Sequence, residues 1–481
     1  MSPMAIVRGS SFAVLAAALF ACSSPAPPAP STVTGITVST GDLLPPFSPD
    51  VFSYELTSLT TLVPVDFTVT GQDVTIGGAP AKNGVPFTMT VPALDDATSI
   101  AIQATDAKGA PVTYTIHTVP QQRPRYDVTT LSSPEPGLIF LTPSQLVGAT
   151  GGPNFVYILD ETGKLVFYKS TLQAVADFEK VVLPNGTVRY TYVEENQPMD
   201  PKAWPLLPST AYVLDDHFRQ LQTIQLAAGG DHPAAPVDVH EFRLLDDDHW
   251  ILQSYLPETV TNVPGYASAA VASGVVQEVK SAGVLFDWQT TSVPALYTQS
   301  DDGNDYTNAN GMLADYNHLN AFDIDPSNGN LVLSLRHCDE VVELDHATGA
   351  IVWTFGGAGD EFGLAAADKP SHQHHVRFLA PNHLSMFDNG NATKLTKLRE
   401  YQIDPVAHTA QVLAAVTVDN HFSTAMGSVQ KINGHYFVGW GYRRAGESDV
   451  TELDAVTQIK SFELSFQDGY VSYRALKFPA Q

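Results

Sequence analysis

The stretch Ser371-His372-Gln373-His374-His375-Val376-Arg377-Phe378, continued by Leu379-Ala380-Pro381-Asn382-His383-Leu384-Ser385-Met386-Phe387-Asp388-Asn389-Gly390, reads as strand, turn, strand, turn. It is a β-hairpin with three histidines in four positions at its mouth. An imidazole can act as nucleophile and as proton carrier near neutral pH, and a strand end is a place from which a scaffold can aim it.

The hairpin recurs. Leu183-Pro184-Asn185-Gly186, Leu245-Asp246-Asp247-Asp248, Ser327-Asn328-Gly329-Asn330, Ala380-Pro381-Asn382-His383 and Ile432-Asn433-Gly434 form one class of turn. Asp160-Glu161-Thr162-Gly163-Lys164, Leu214-Asp215-Asp216, Asp345-His346-Ala347-Thr348-Gly349 and Asp404-Pro405-Val406-Ala407 form a second class between them. β-rich runs such as Leu331-Val332-Leu333-Ser334-Leu335 and Tyr436-Phe437-Val438-Gly439-Trp440 flank the turns. A period of ~50–80 residues suits a four-stranded blade, and residues 135–481 hold roughly six of them. The expected architecture is all-β: a six-bladed β-propeller whose loops converge on a central funnel.

Residues 33–120 read as a separate β-sandwich. Strand-like runs (Thr34–Ser39, Leu62–Val69, Ser99–Ala104) alternate with turn residues such as Gly71-Gln72-Asp73 and Asp106-Ala107-Lys108-Gly109. The patterns Ser48-Pro49-Asp50-Val51-Phe52-Ser53-Tyr54 and Val112-Thr113-Tyr114-Thr115-Ile116 resemble a bacterial cadherin-like sandwich. It holds no convergent polar cluster and is expected to be a spacer or assembly domain.

Residues 1–22 read as an export signal. Arg8 precedes an apolar run of about ten residues, Phe12–Ala21, too short to span a bilayer. Leu19-Phe20-Ala21-Cys22 resembles a bacterial lipoprotein cleavage box, which implies lipidation of Cys22. A Pro-rich tether, 23–32, follows. The expected destination is the outer membrane and periplasm or the cell surface, with membrane contact only through the lipid. Cys338 is then the one remaining cysteine, so no intramolecular disulfide is expected and Cys338 reads as a small buried residue. A formal net charge of -26 argues against nucleic acid as a partner. The sequence does not indicate an oligomeric state.

Histidines recur in register with the turns. Val237-Asp238-Val239-His240-Glu241-Phe242, Asp315-Tyr316-Asn317-His318-Leu319-Asn320 and Gln373-His374 each lie one strand before a turn of the first class. In a propeller that strand lines the funnel, so His240, His318 and His374 are expected to face one another. Arg336 ends the strand after the Asn328 turn, and Asp419-Asn420-His421-Phe422-Ser423-Thr424 lies upstream of Asn433. Three imidazoles would suit zinc or copper, but the nearby Arg336 argues against a cation, and no metal is expected. Asp301–Asn308 offers oxygen ligands without the spacing of an EF-hand and reads as a solvated loop.

His240-Glu241-Phe242, Tyr316-Asn317-His318-Leu319-Asn320, Ser334-Leu335-Arg336-His337, Trp353-Thr354-Phe355-Gly356-Gly357, Gln373-His374 and Phe387-Asp388-Asn389-Gly390 together resemble the bacterial arylsulfate sulfotransferases. The resemblance covers residues 135–481. It implies a propeller that moves a sulfuryl group from a phenolic sulfate donor to a phenol acceptor through a sulfohistidine, without a nucleotide donor and without a cofactor. It places the nucleophile at His374, hydrogen-bonding and acid–base roles at His240 and His318, and a fixed cation at Arg336. Asn320 is expected to orient an imidazole, and Thr424 and His421 to line the acceptor pocket. Two other readings stay open on the sequence: a non-catalytic propeller that binds a surface ligand or partner, and an aryl-sulfate hydrolase in which water replaces the phenol.

Overall fold

The computed structural model describes residues 32–94, 99–120, 122–145, 153–198, 204–230 and 232–480. The expected signal and lipidation site at Cys22, and the tether up to residue 31, lie outside them.

The protein is all-β. At the N-terminal end, two sheets face each other. One contains Gly35–Val38, Val65–Thr70 and Phe87–Met89. The other is built around Ser53–Leu56, Pro111–His117 and Ser99–Thr105. Their side chains alternate: Val65, Phe67 and Val69 are buried while their neighbours are partly exposed, as a sandwich with one wet face requires.

The remaining strands form six further sheets of four or five strands. Successive sheets begin at Val175, Phe242, Leu319, His374 and Ser428 and run outward through hairpins. The Asn433-Gly434 hairpin shows the turn chemistry. Both residues have positive φ, 48° and 85°, and Ile432 pairs directly with His435. A two-residue turn of this hand matches the twist of its strands. Central strands such as Leu331–Leu335 and Glu340–Leu344 are buried along their whole length, as layers packed on both faces must be.

The ring is closed twice. The last strand, Val471–Phe478, is innermost in the sheet of Leu138–Ser144. Tyr126–Thr130, which lies between the two expected domains, is outermost in the final sheet against Lys460–Phe466. The sandwich is joined to this body. Ser58–Thr60 adds an edge strand to Leu165–Thr171, and Leu59, Tyr157, Phe437 and Phe462 belong to one continuous apolar cluster. Pairing the edge and burying its apolar surface make the sandwich part of the core.

Below the inner strand ends, Arg474 is ion-paired with Asp177 and, at 2.7 Å, with Glu241. Arg377 also reaches Glu241 at 2.7 Å. Glu241 follows His240 directly, so this buried network anchors the backbone that carries that imidazole. No helix among the described residues is long and apolar enough to cross a membrane.

Candidate active site

His240, His318 and His374 occupy equivalent places in three sheets. Each lies within two residues of the start of an innermost strand: Phe242–Asp246, Leu319–Ile324 and His374–Ala380. The structure brings all three to one cavity of about 260 Å³. Val239, Leu207, Met426, Trp204, Tyr442 and Tyr473 make much of its wall apolar and aromatic.

His374 is held at both ring nitrogens. Nδ1 lies 2.7 Å from Asn389 Oδ1 and 3.2 Å from the His372 carbonyl, and the Met426 N–H donates to Nε2 at 3.1 Å. The Asn389 amide nitrogen donates to the carbonyls of Ser423 (3.1 Å) and Met426 (3.0 Å). Those two acceptors turn the amide oxygen toward His374, so Nδ1 carries the proton and Nε2 the lone pair. Burial, and then the charge of Arg336, hold the His374 pKa well below its ordinary value. The ring is therefore neutral near pH 7, the state in which it is a nucleophile. The loop carrying Met426 is tightly fitted: Gly427 has φ 106°, and a Cβ there would meet the Phe387 ring at 2.3 Å.

The other two imidazoles are each tied to a carboxylate. His240 Nδ1 bonds Asp238, and His318 Nδ1 bonds Asp315 at 2.6 Å. The rings of His240 and His318 meet edge to face, 5.1 Å apart. His318 is stacked between His337 at 4.6 Å and Trp204 at 5.6 Å. Burial, followed by the neighbouring His240, depresses the His318 pKa well below normal, and burial pushes Asp315 up to about 7. An Asp–imidazole pair bonded through Nδ1 leaves Nε2 free to take or give a proton.

Arg336 begins a short 3₁₀ turn, Arg336–Cys338, and is buried. It lines an adjoining cavity of about 450 Å³ that shares Trp204 with the first. Its Nη2 donates to the Thr424 carbonyl at 3.1 Å, its Nε has no partner, and among the described residues no carboxylate forms an ion pair with it. Asp302, Asp315 and Asp339 act on it through space without pairing with it directly, so the guanidinium keeps donors free for an anionic group.

The other expected residues stand further back. Asn320 donates to the Gln373 carbonyl at 2.8 Å and so fixes the backbone leading into His374 rather than an imidazole ring. Thr424 meets Arg336 through its backbone carbonyl. His421 stacks on Trp440, 4.4 Å away, with Nδ1 bonded to the Val418 carbonyl. None of the three lines either cavity. His375, next to the nucleophile candidate, points to a different cavity beside Arg243 and Arg377. Cys338 is a free buried thiol.

Several contributors were not singled out from sequence. Asp238 and Asp315 were readable as Asp-x-His and Asp-x-x-His spacings. Asn389 lies in Phe387-Asp388-Asn389-Gly390, where the sequence alone gives it no role. Tyr473, whose hydroxyl is buried without a partner and whose ring lies 5.6 Å from His240 and 6.5 Å from His374, carried no local signal.

Asp315, His318 and His337 bring ligand atoms within 4.8 Å of one another. However, Nδ1 of each imidazole is already bonded to Asp315, at its carboxylate or its carbonyl, and Arg336 lies beside the group. The set is a hydrogen-bond network rather than a cation cage. In the Asp301–Asn308 loop, Asp302 faces His337 and His372, and Asp305 accepts from Thr307.

A neutral imidazole opposite two carboxylate-held imidazoles, with an unpaired guanidinium alongside, is equipment for transferring an anionic group. The arylsulfotransferase (ASST) family model matches residues 121–474, and the chain belongs to that family. Its activity class is therefore aryl sulfuryl transfer, with phenolic substrates. No curated protein matches the chain. Among solved structures, a protein of unknown function from Bacteroides caccae shares 12% identity at TM-score 0.39, covering 72% of this chain and 99% of that one. The periplasmic gluconolactonase PpgL of Pseudomonas aeruginosa shares 12% at TM-score 0.38, covering 72% and 100%. Likenesses this distant carry no argument about activity.

Proposed function

We propose that the protein transfers a sulfuryl group from an aryl sulfate to a phenol by a ping-pong route through His374. The observation that carries this reading is the His374 ring itself: a cavity-lining imidazole, neutral, with its tautomer set by Asn389 and its Nε2 lone pair held, among the described residues, only by the N–H of Met426, another residue of the cavity wall. The donor ring lies against the aromatic wall and its sulfate turns toward His374 and Arg336. The Met426 N–H gives up Nε2, which attacks sulfur in line. The bond from sulfur to the aryl oxygen breaks, and the leaving phenolate takes a proton from the His240–Asp238 pair. A second phenol then loses its proton to that pair and attacks the sulfur of sulfohistidine, which releases His374. Arg336 and the imidazole donors stabilise charge on the equatorial oxygens, as cations and hydrogen bonds do in phosphoryl transfer.

The protein is further proposed to be exported and anchored through a lipid on Cys22, with the cadherin-like sandwich as a spacer. The apolar run Phe12–Ala21 and the residues before Cys22 support this. Labelling with a radioactive fatty acid that is lost in Cys22→Ser tests the anchor. For the chemistry, a chromogenic aryl sulfate is incubated with and without added phenol. Release that rises with phenol supports transfer. Release indifferent to phenol indicates hydrolysis, and no release indicates a non-catalytic binding protein.

A further inference from the structure

Glu195, the last residue of the strand Val188–Glu195, has no part in the steps above. Its side chain lines the same cavity as the three histidines, and among the described residues it is the only carboxylate that does so. It is 9% exposed. Among the described residues no hydrogen bond or ion pair reaches its carboxyl group, although the neighbouring Glu194 is held by the N–H groups of Leu172 and Gln173. Every other buried carboxylate at the site has a partner: Asp238 holds His240 and Asp315 holds His318. A carboxylate that lines a cavity and has no protein donor is open to a donor supplied by a ligand.

The rest of the wall narrows what that ligand is. Val175, Leu207, Val239, Trp204, Tyr442 and Tyr473 suit an aryl ring and offer it few polar partners. We infer that Glu195 is a specificity-determining residue which accepts a hydrogen bond from a second donor group on the phenol acceptor, such as a hydroxyl or an ammonium remote from the reacting oxygen. The inference rests on the sulfuryl-transfer reading of this cavity. A carboxylate here also repels a second anionic substituent and so works against acidic phenols. Burial and the nearby Asp238 push the Glu195 pKa up to about 7, so both its accepting and its repelling action strengthen as pH rises above neutral.

The test is direct binding to the full chain by titration calorimetry, which needs no turnover. Three phenols that differ at the para position are compared: tyramine with an ammonium, 4-hydroxybenzyl alcohol with a neutral hydroxyl, and 4-methylphenol with neither. Wild type binds the two donor-bearing phenols about tenfold or more tightly than 4-methylphenol. Glu195→Leu abolishes or reverses that preference. Glu195→Gln, close in shape, keeps the preference for the alcohol and loses the extra preference for the ammonium. Thermal unfolding confirms that each variant is folded, and the Gln variant keeps the test decisive if the Leu variant is not. An unchanged order of affinities in both variants, or no preference in wild type, overturns the inference. Absence of sulfuryl transfer by wild type to any of the three would sink the reading of the reaction and leave the binding comparison standing.

Discussion

Replacing Asn389 by Ala removes the group that sets the tautomer of His374. Four hydrogen bonds go: the 2.7 Å contact to His374 Nδ1, the donations to the carbonyls of Ser423 and Met426, and a 3.5 Å donation to the Ser423 hydroxyl. The His372 carbonyl, 3.2 Å from Nδ1, is then the one acceptor left to the ring. A buried donor or acceptor that loses its partner costs about 1–3 kcal/mol. If about 1.4–2.8 kcal/mol of that falls on the sulfur-attack step, the rate drops about tenfold to about a hundredfold. The assay is single-turnover release of the first phenol from a chromogenic aryl sulfate, with donor affinity measured separately. The loss should appear in the rate and not in donor binding, because Asn389 lines neither cavity. Higher pH should not rescue it. The Asn389 hydrogen bond raises the His374 pKa, so removing it leaves the ring still more firmly neutral. A folded Asn389→Ala protein with an unchanged rate, or one that fails only in donor binding, would refute the assignment of tautomer and nucleophile.

Arg336→Met removes the largest charge effect on His374 after burial itself. With that positive charge gone, the imidazole gains a proton more readily, so the acid limb of the donor half-reaction moves to higher pH; Arg336→Lys keeps it near the wild-type position, and a limb that stays put in the Met variant contradicts the reading. Arg474→Met leaves Asp177 and Glu241 buried without their shared cation and should cost about 3–5 kcal/mol in denaturant unfolding; a loss below about 1 kcal/mol would show that the network under the site is not held this way. His375→Gln tests acid stability. Burial, then Arg377 and Arg474, depress the His375 pKa, so the unfolded chain binds a proton that the folded chain refuses, and stability falls as pH drops below the ordinary histidine value of about 6.5. The variant should lose up to ~1.4 kcal/mol per pH unit of that acid slope, read from unfolding midpoints between about pH 5 and about pH 6.5.

The repeat of hairpin turns made the β-propeller class legible, because turn chemistry and alternation are local properties. The same register drew out His240, His318 and His374, since each stands within two residues of the start of an inner strand. What the sequence could not show depends on pairings between distant segments. Ser58–Thr60 joins Leu165–Thr171 across roughly a hundred residues, and no local pattern marks either edge for the other. Tyr473 reaches the cavity because ring closure brings the last strand beside the first sheet, and Glu195 because its strand lies against that of Phe242–Asp246. Each sits in a strand where several aromatic or acidic neighbours look equally eligible. Asn320 and His421 show the converse: both have the right residue type near the motif, but one turns to a backbone carbonyl and the other to Trp440.

The central claim is that His374 carries the sulfuryl group. Mixing the protein with an aryl sulfate in the absence of acceptor, quenching under mildly alkaline conditions that preserve an N-sulfated imidazole, and mapping peptides by mass spectrometry tests it most directly. The account predicts one added sulfuryl group on the peptide containing His374, discharged when phenol is supplied and absent in His374→Asn. A sulfuryl adduct on another residue, or full turnover by His374→Asn, would contradict it.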